Sequence, residues 1–155
     1  MYRKILVAVD GSSTSEEALV SAARLARALS ARLRIMHVTD SPYDYPDVMY
    51  GHVPGDVEEL REAWHKAGQE VIDRAVVAAL REGCAAEPRL VEGSGSVHVS
   101  EHVVEEARAW GADIIVVCAS GSRGVKRLLL GSVAEGVARL ARVPVLLVRA
   151  PNASS

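Results

Sequence analysis

Asp113-Ile-Ile-Val-Val-Cys118, followed closely by Gly121-Ser-Arg-Gly-Val-Lys-Arg-Leu-Leu-Leu-Gly131-Ser132, is the stretch that decides the fold. The first run is continuous, apolar and β-branched, which predicts a strand buried on both faces. A helical pattern over Val133–Arg142 follows the glycines. A strand, a glycine-bearing loop and a helix start together form a natural anion site. Unpaired amides and the positive end of the helix dipole both point into such a loop. Glycine lets the backbone approach closely. Ser132 adds a hydroxyl at the helix start, and Lys126 and Arg127 lie between the glycines. An ordinary strand–loop–helix connection is the alternative reading of the same residues.

Outward from this stretch, strand and helix alternate along the chain. Strands are predicted at Ile5–Val9, Leu33–Thr39, Pro88–Val91, Asp113–Cys118 and Val143–Arg149. A helix follows Ser13 and Thr14, each with a glutamate three residues on, a doubled capping-box signal. Its inward face is read as Leu19, Ala22, Ala23, Ala26 and Leu29. A long helix is predicted over about Val57–Arg81, with Leu60, Trp64, Ala67, Val71, Ala75 and Ala78 inward and Gly83 closing it. Another helix spans Val97–Trp110, with Val99, Val103, Ala107 and Trp110 inward. Asp40–Asp56 holds three prolines, two glycines and three tyrosines and reads as a long connection. Such connections are often functional.

The alternation predicts an α/β fold: a five-stranded parallel doubly wound sheet with helices on both faces. Such sheets bind ligands outside the carboxyl ends of their strands, where the strand order reverses. The rule points to Asp10, Val38–Asp40, Gly93 and Cys118–Gly121, residues distant in sequence but expected on one rim. Residues 1–150 read as one domain and 151–155 as a disordered tail.

Composition removes several function classes. The chain has 155 residues, 49% hydrophobic and 25% charged, so it can bury a proper core. A net charge of −2 offers no basic field for nucleic acid. Cys84 and Cys118 form neither a CxxC pair nor a disulfide framework. The N-terminus lacks a signal-peptide pattern, and no apolar run is long enough for a membrane helix. A cytoplasmic protein is expected.

Taken together, Ile5-Leu-Val-Ala-Val-Asp-Gly-Ser12, Met36-His-Val38, Gly111-Ala-Asp-Ile-Ile-Val-Val117, Leu128-Leu-Leu-Gly-Ser-Val-Ala-Glu135 and Val143-Pro-Val-Leu-Leu-Val-Arg149 resemble a universal stress protein domain. The resemblance covers essentially the whole chain and implies a Rossmann-like α/β sandwich of the adenine nucleotide α-hydrolase-like kind. Many members bind ATP through Gly, two residues, Gly, nine residues, then Gly-Ser or Gly-Thr. Gly121 and Gly131-Ser132 match the later part, whereas Cys118 stands where the first glycine is expected. The resemblance implies a site for ATP, with or without Mg2+, made of Ala8, Val9, Asp10, Val38, Cys118, Ser120, Gly121, Gly131, Ser132 and Val133. Asp10 is assigned to the ribose edge and Val38 to the adenine. Cys118, Gly121, Gly131, Ser132 and Val133 are assigned to the phosphates. It also implies a homodimer paired through Val143–Arg149.

Competing motifs fail on their own chemistry. His98-Val-Ser-Glu-His102 matches the H-x-x-E-H pattern of inverted zinc peptidases, but His98, Glu101 and Glu105 fall opposite the apolar helix face and no third ligand is identifiable. Gly93-Ser-Gly-Ser lacks the third glycine of a dinucleotide fingerprint, and Walker A is absent. The Ser-Gly-Gly-x-Asp-Ser signature of ATP pyrophosphatases is missing too. A response-regulator receiver needs an acidic pair after the first strand, but Asp10 stands alone there. No general base falls near the loop, so hydrolysis should be slow at most. Two classes of function stay open: an ATP-binding regulatory module of the stress-response type, and a dimeric interaction protein whose glycine loop is only structural.

Overall fold

Each predicted apolar run forms a strand, and the five strands lie parallel. The computed structural model describes residues 1–51, 55–120 and 130–151. Its elements are β1 (Lys4–Ala8), α1 (Ser13–Leu29), β2 (Arg32–Thr39), a short 3-10 turn (Pro42–Asp44), α2 (Pro46–Met49), α3 (Val57–Arg81), β3 (Ala86–Glu92), α4 (Val99–Trp110), β4 (Ile114–Cys118), α5 (Ser132–Leu140) and β5 (Val145–Val148). The sheet order is β3-β2-β1-β4-β5. Every pair is parallel, with Val7 beside both Ile35 and Val116.

The central strand is buried from both sides because helices cover both faces. Ile5, Val7, Leu33, Ile35 and Val116 pack under α1 and α3. Leu6, Met36, Ile115 and Val117 pack under α4 and α5. Side chains alternate across a strand, so adjacent residues of one run supply both layers. Burying each such side chain is worth about 1.5–3 kcal/mol, so the β1 run Ile5-Leu6-Val7, fully inaccessible to solvent, anchors both layers.

Several local expectations shift. The cap of α1 is Ser12, whose Oγ accepts from the Ser15 amide at 3.2 Å, rather than Ser13 or Thr14. The inward stripe of α3 is turned by about one residue: Gly68, Ile72, Ala75 and Ala79 are buried, while Ala67 is exposed. Gly68 allows this, because a Cβ there would collide with Thr39 and meet Leu90 Cδ1 at 3.1 Å. Gly83 does close α3, in the left-handed region at φ +75°. The helix predicted from Val97 starts at Val99, capped by His98 in a reciprocal box with Glu101.

One buried charge on α4 was not foreseen. Glu106 is 8% exposed and binds Arg34 at 2.7 Å and Arg89 at 3.1 Å. Arg34 also lies 4.5 Å from the Trp110 ring centroid, so β2 and α4 are joined by charge as well as packing. No described helix is long and apolar enough to cross a membrane.

Candidate functional site

The strand order reverses between β1 and β4, so their carboxyl ends diverge into helices on opposite faces and leave a crevice. The register gathers the predicted residues on this rim. Ala8 pairs with Met36, which sets Asp10 level with Val38. Val7 pairs with Val116, which sets Val9 level with Cys118 and Asp10 level with Ala119.

At the β1 end, Val9 is buried and its amide donates to Met36 O at 2.9 Å. His37 Nδ1–H donates to Val9 O at 2.7 Å, so both backbone groups of Val9 are held. Ala8 is half-buried against the α4–α5 layer. Asp10 is exposed and folds into an Asx turn: its Oδ1 accepts from the Ser12 amide at 2.9 Å and from the Ser12 hydroxyl. Its own amide donates to Ser15 Oγ at 3.3 Å. Partial desolvation is the largest single influence on the carboxyl and raises its pKa. The Ser12 and Ser15 hydrogen bonds and the nearby His37 together outweigh it and hold the pKa below the ordinary 3.8. Asp10 is therefore an ionised acceptor at neutral pH. Gly11 turns the chain at φ +84°, with Val71 Cγ2 3.1 Å from where a Cβ would sit.

Val38 is half-buried at the β2 end and forms one wall of a cleft of about 360 Å³. Asp40, Asp44, Ser94, Ser96 and His98 supply its polar walls. Gly93 and Gly95 let this loop lie against Thr39 and Asp44, whose atoms occupy the space a Cβ would take.

The β4 end is tied to the start of α5 independently of the residues between them. Gly131 N donates to Ala119 O at 2.7 Å, and Ala119 N donates to Val148 O at 2.8 Å. Gly131 is buried and serves as the cap of α5, with extended backbone and no side-chain cap bond. The first-turn amides of α5 thus lack a capping side chain, as an incoming anion requires. Ser132 is exposed there, while Val133 packs against the core. Cys118 is half-buried in β4 with its Sγ 3.8 Å from Ser120 Oγ. Ser30 is the sole non-glycine with positive φ among the described residues, so the Cys118 position does not demand glycine. Gly121, Lys126 and Arg127 lie outside the described residues.

The sequence reading missed Ser12, Ser15 and His37, which orient Asp10 and Val9. The Asp10-Gly11-Ser12 spacing, an Asx-turn signature, could have revealed Ser12. His37 needed the register, since its partner is on another strand. The H-x-x-E-H run has a structural use: His98 Nδ1 accepts from the Ser100 amide at 3.2 Å, and the His98 amide donates to Glu101 at 3.0 Å.

A five-stranded parallel α/β sandwich with a crevice at its switch point is thus the class that fold and rim define. The chain belongs to the universal stress protein family, whose family model matches residues 1–149. Universal stress protein YxiE of Bacillus subtilis is 34% identical over 152 residues, covering 96% of this chain and 100% of the relative. A universal stress protein family structure from Burkholderia pseudomallei is 38% identical with TM-score 0.73, covering 96% of this chain and 97% of that one. A universal stress protein solved in complex with cAMP is 27% identical with TM-score 0.67, over 96% and 97% of the two chains. The Archaeoglobus fulgidus protein in complex with dAMP is 26% identical with TM-score 0.65, over 94% and 97%.

Proposed function

We propose that the chain is a cytoplasmic, stress-response regulatory module that binds an adenine nucleotide, ATP with or without Mg2+, in the crevice between the ends of β1 and β4. The observation that carries this reading is the start of α5, without a capping side chain and tied by Gly131 to Ala119, on the same rim as the ionised Asp10. Amides of Ser132 and Val133, with the Ser132 hydroxyl, suit phosphate oxygens. Asp10, beside Ala8 and Val9, suits the ribose hydroxyls, and Val38 offers a dry face to the purine. Cys118, Ser120 and Gly121 complete the phosphate side. The neighbours solved with cAMP and with dAMP support an adenine ligand. Hydrolysis is slow at most, below the ~1 s⁻¹ of ordinary enzymes.

The test is calorimetric titration of ATP and Mg2+ into nucleotide-free protein, beside a Gly131→Val, Ser132→Ala variant. Micromolar binding that the variant loses is expected. No binding by the unmodified chain would favour a second reading, an interaction module without nucleotide, which the cysteine at 118 supports. In both readings residues 1–150 act as one domain and two copies associate through Val143–Arg149.

A further inference from the structure

A second concavity lies on the opposite side of Gly11, between α1 and α3, with a volume of about 460 Å³. Its floor is apolar, formed by Val9, Leu19, Val71, Ala75 and Ala78, with Val77 on its α3 wall. Ser15 on α1 and Ala75 and Ala78 on α3 are small residues of its lining. Its upper end is fixed by the close approach of Gly11 to Val71. From there it follows α1 from the Ser12 cap to Leu19, roughly 10 Å at 1.5 Å per residue. Its volume falls in the range of small-molecule sites, a few hundred Å³, and its lining joins apolar side chains to Ser12, Ser15 and four charged residues. A partner helix would need a far larger contact area.

Four charged residues line the groove, Glu16 on α1 and Asp73, Arg74 and Arg81 on α3. Asp73 on the α3 wall already accepts from Gln69 at 2.9 Å. Arg81 lines the lower mouth. Its guanidinium has no hydrogen-bond or ion-pair partner among the described residues. A guanidinium left free at the mouth of a dry groove matches a carboxylate on an apolar chain.

We propose that the α1–α3 groove binds a medium-chain carboxylate, its tail between Leu19 and Ala78 and its head at Arg81. The groove shares Val9 with the nucleotide crevice but lies on the other side of Gly11, and the proposal does not rest on the nucleotide reading. The test is calorimetric titration of decanoate, below its micelle-forming concentration, into the full chain. Ala78→Trp fills the groove, and Arg81→Glu reverses the charge at an exposed position where folding is not at stake. Saturable one-to-one binding is expected, lost in Ala78→Trp and at least tenfold weaker in Arg81→Glu. Decyltrimethylammonium, with the same tail and the opposite head, should not bind. The proposal is overturned by absence of saturable decanoate binding, by binding that Arg81→Glu leaves unchanged, or by equal affinity for the cation. Saturation by an acidic amphipathic peptide in place of decanoate would overturn it too.

Discussion

Asp10 and Gly11 are adjacent and do different work. Asp10 carries the charge, whereas Gly11 supplies the φ of +84° that turns the chain from β1 toward α1. An L-residue in that region costs about 1–2 kcal/mol, and here the new methyl also presses on Val71. Gly11→Ala should therefore lower unfolding stability by about 1–3 kcal/mol in urea, and weaken nucleotide binding by shifting Asp10. The Asp10 carboxyl has a lowered folded-state pKa, so its contribution to stability is present above 3.8 and lost as pH falls through the lower folded value. Asp10→Asn should flatten that acid limb of a pH–stability curve and, above pH 5, lower stability by a constant amount without changing its slope. Ribose binding through Asp10 should likewise be level from pH 5 to 8, which titration at several pH values checks.

At the scale of elements, α5 matters because its first turn forms the proposed phosphate side, and α4 decides where α5 lies. Gly136 is the contact point: a Cβ there would lie 2.6 Å from Ser100 Cβ, with the Ser100 hydroxyl closer still. Gly136→Ala should force the helices apart, costing about 1–3 kcal/mol and weakening nucleotide affinity although residue 136 touches no ligand. Calorimetry and thermal unfolding on one sample separate the two effects. The β2–α4 joint rests on Glu106. Removing its carboxylate leaves the half-buried Arg34 without its closest partner, so Glu106→Ala should cost about 1–3 kcal/mol, read by urea unfolding.

At the scale of the whole molecule, the two edges of the sheet differ. The β3 edge carries Glu87, Pro88 and Arg89, and charges and proline discourage pairing with another copy. The β5 edge exposes Leu146 (38%) and Leu147 (37%), apolar residues on a strand with one free side. In the proposed dimer, Leu146→Asp should leave the fold intact and halve the mass seen by light scattering at micromolar concentration. An unchanged dimer mass would place the contact elsewhere, and a monomeric unmodified chain would overturn the dimer proposal.

The amino-acid sequence by itself determined the element order, the parallel sheet and the rim that Asp10, Val38 and Cys118 share. Continuous β-branched runs and glycine-bearing turns are local signals, and crossover handedness leaves few ways to assemble them. It also specified the Val57–Arg81 helix, because the apolar period and Gly83 act within one element. Tertiary structure decided what depends on a neighbour. Gly68 turned the inward stripe of α3 because Thr39 and Leu90 press against it from the sheet. His98, free to be a metal ligand on paper, became a helix cap. Glu106 was drawn inward by arginines on β2 and β3, and Val145–Val148 was left at an edge by the strand order. Each of these outcomes turns on which side chains from distant parts of the chain stand within a few ångströms, and periodicity along one segment carries no such information.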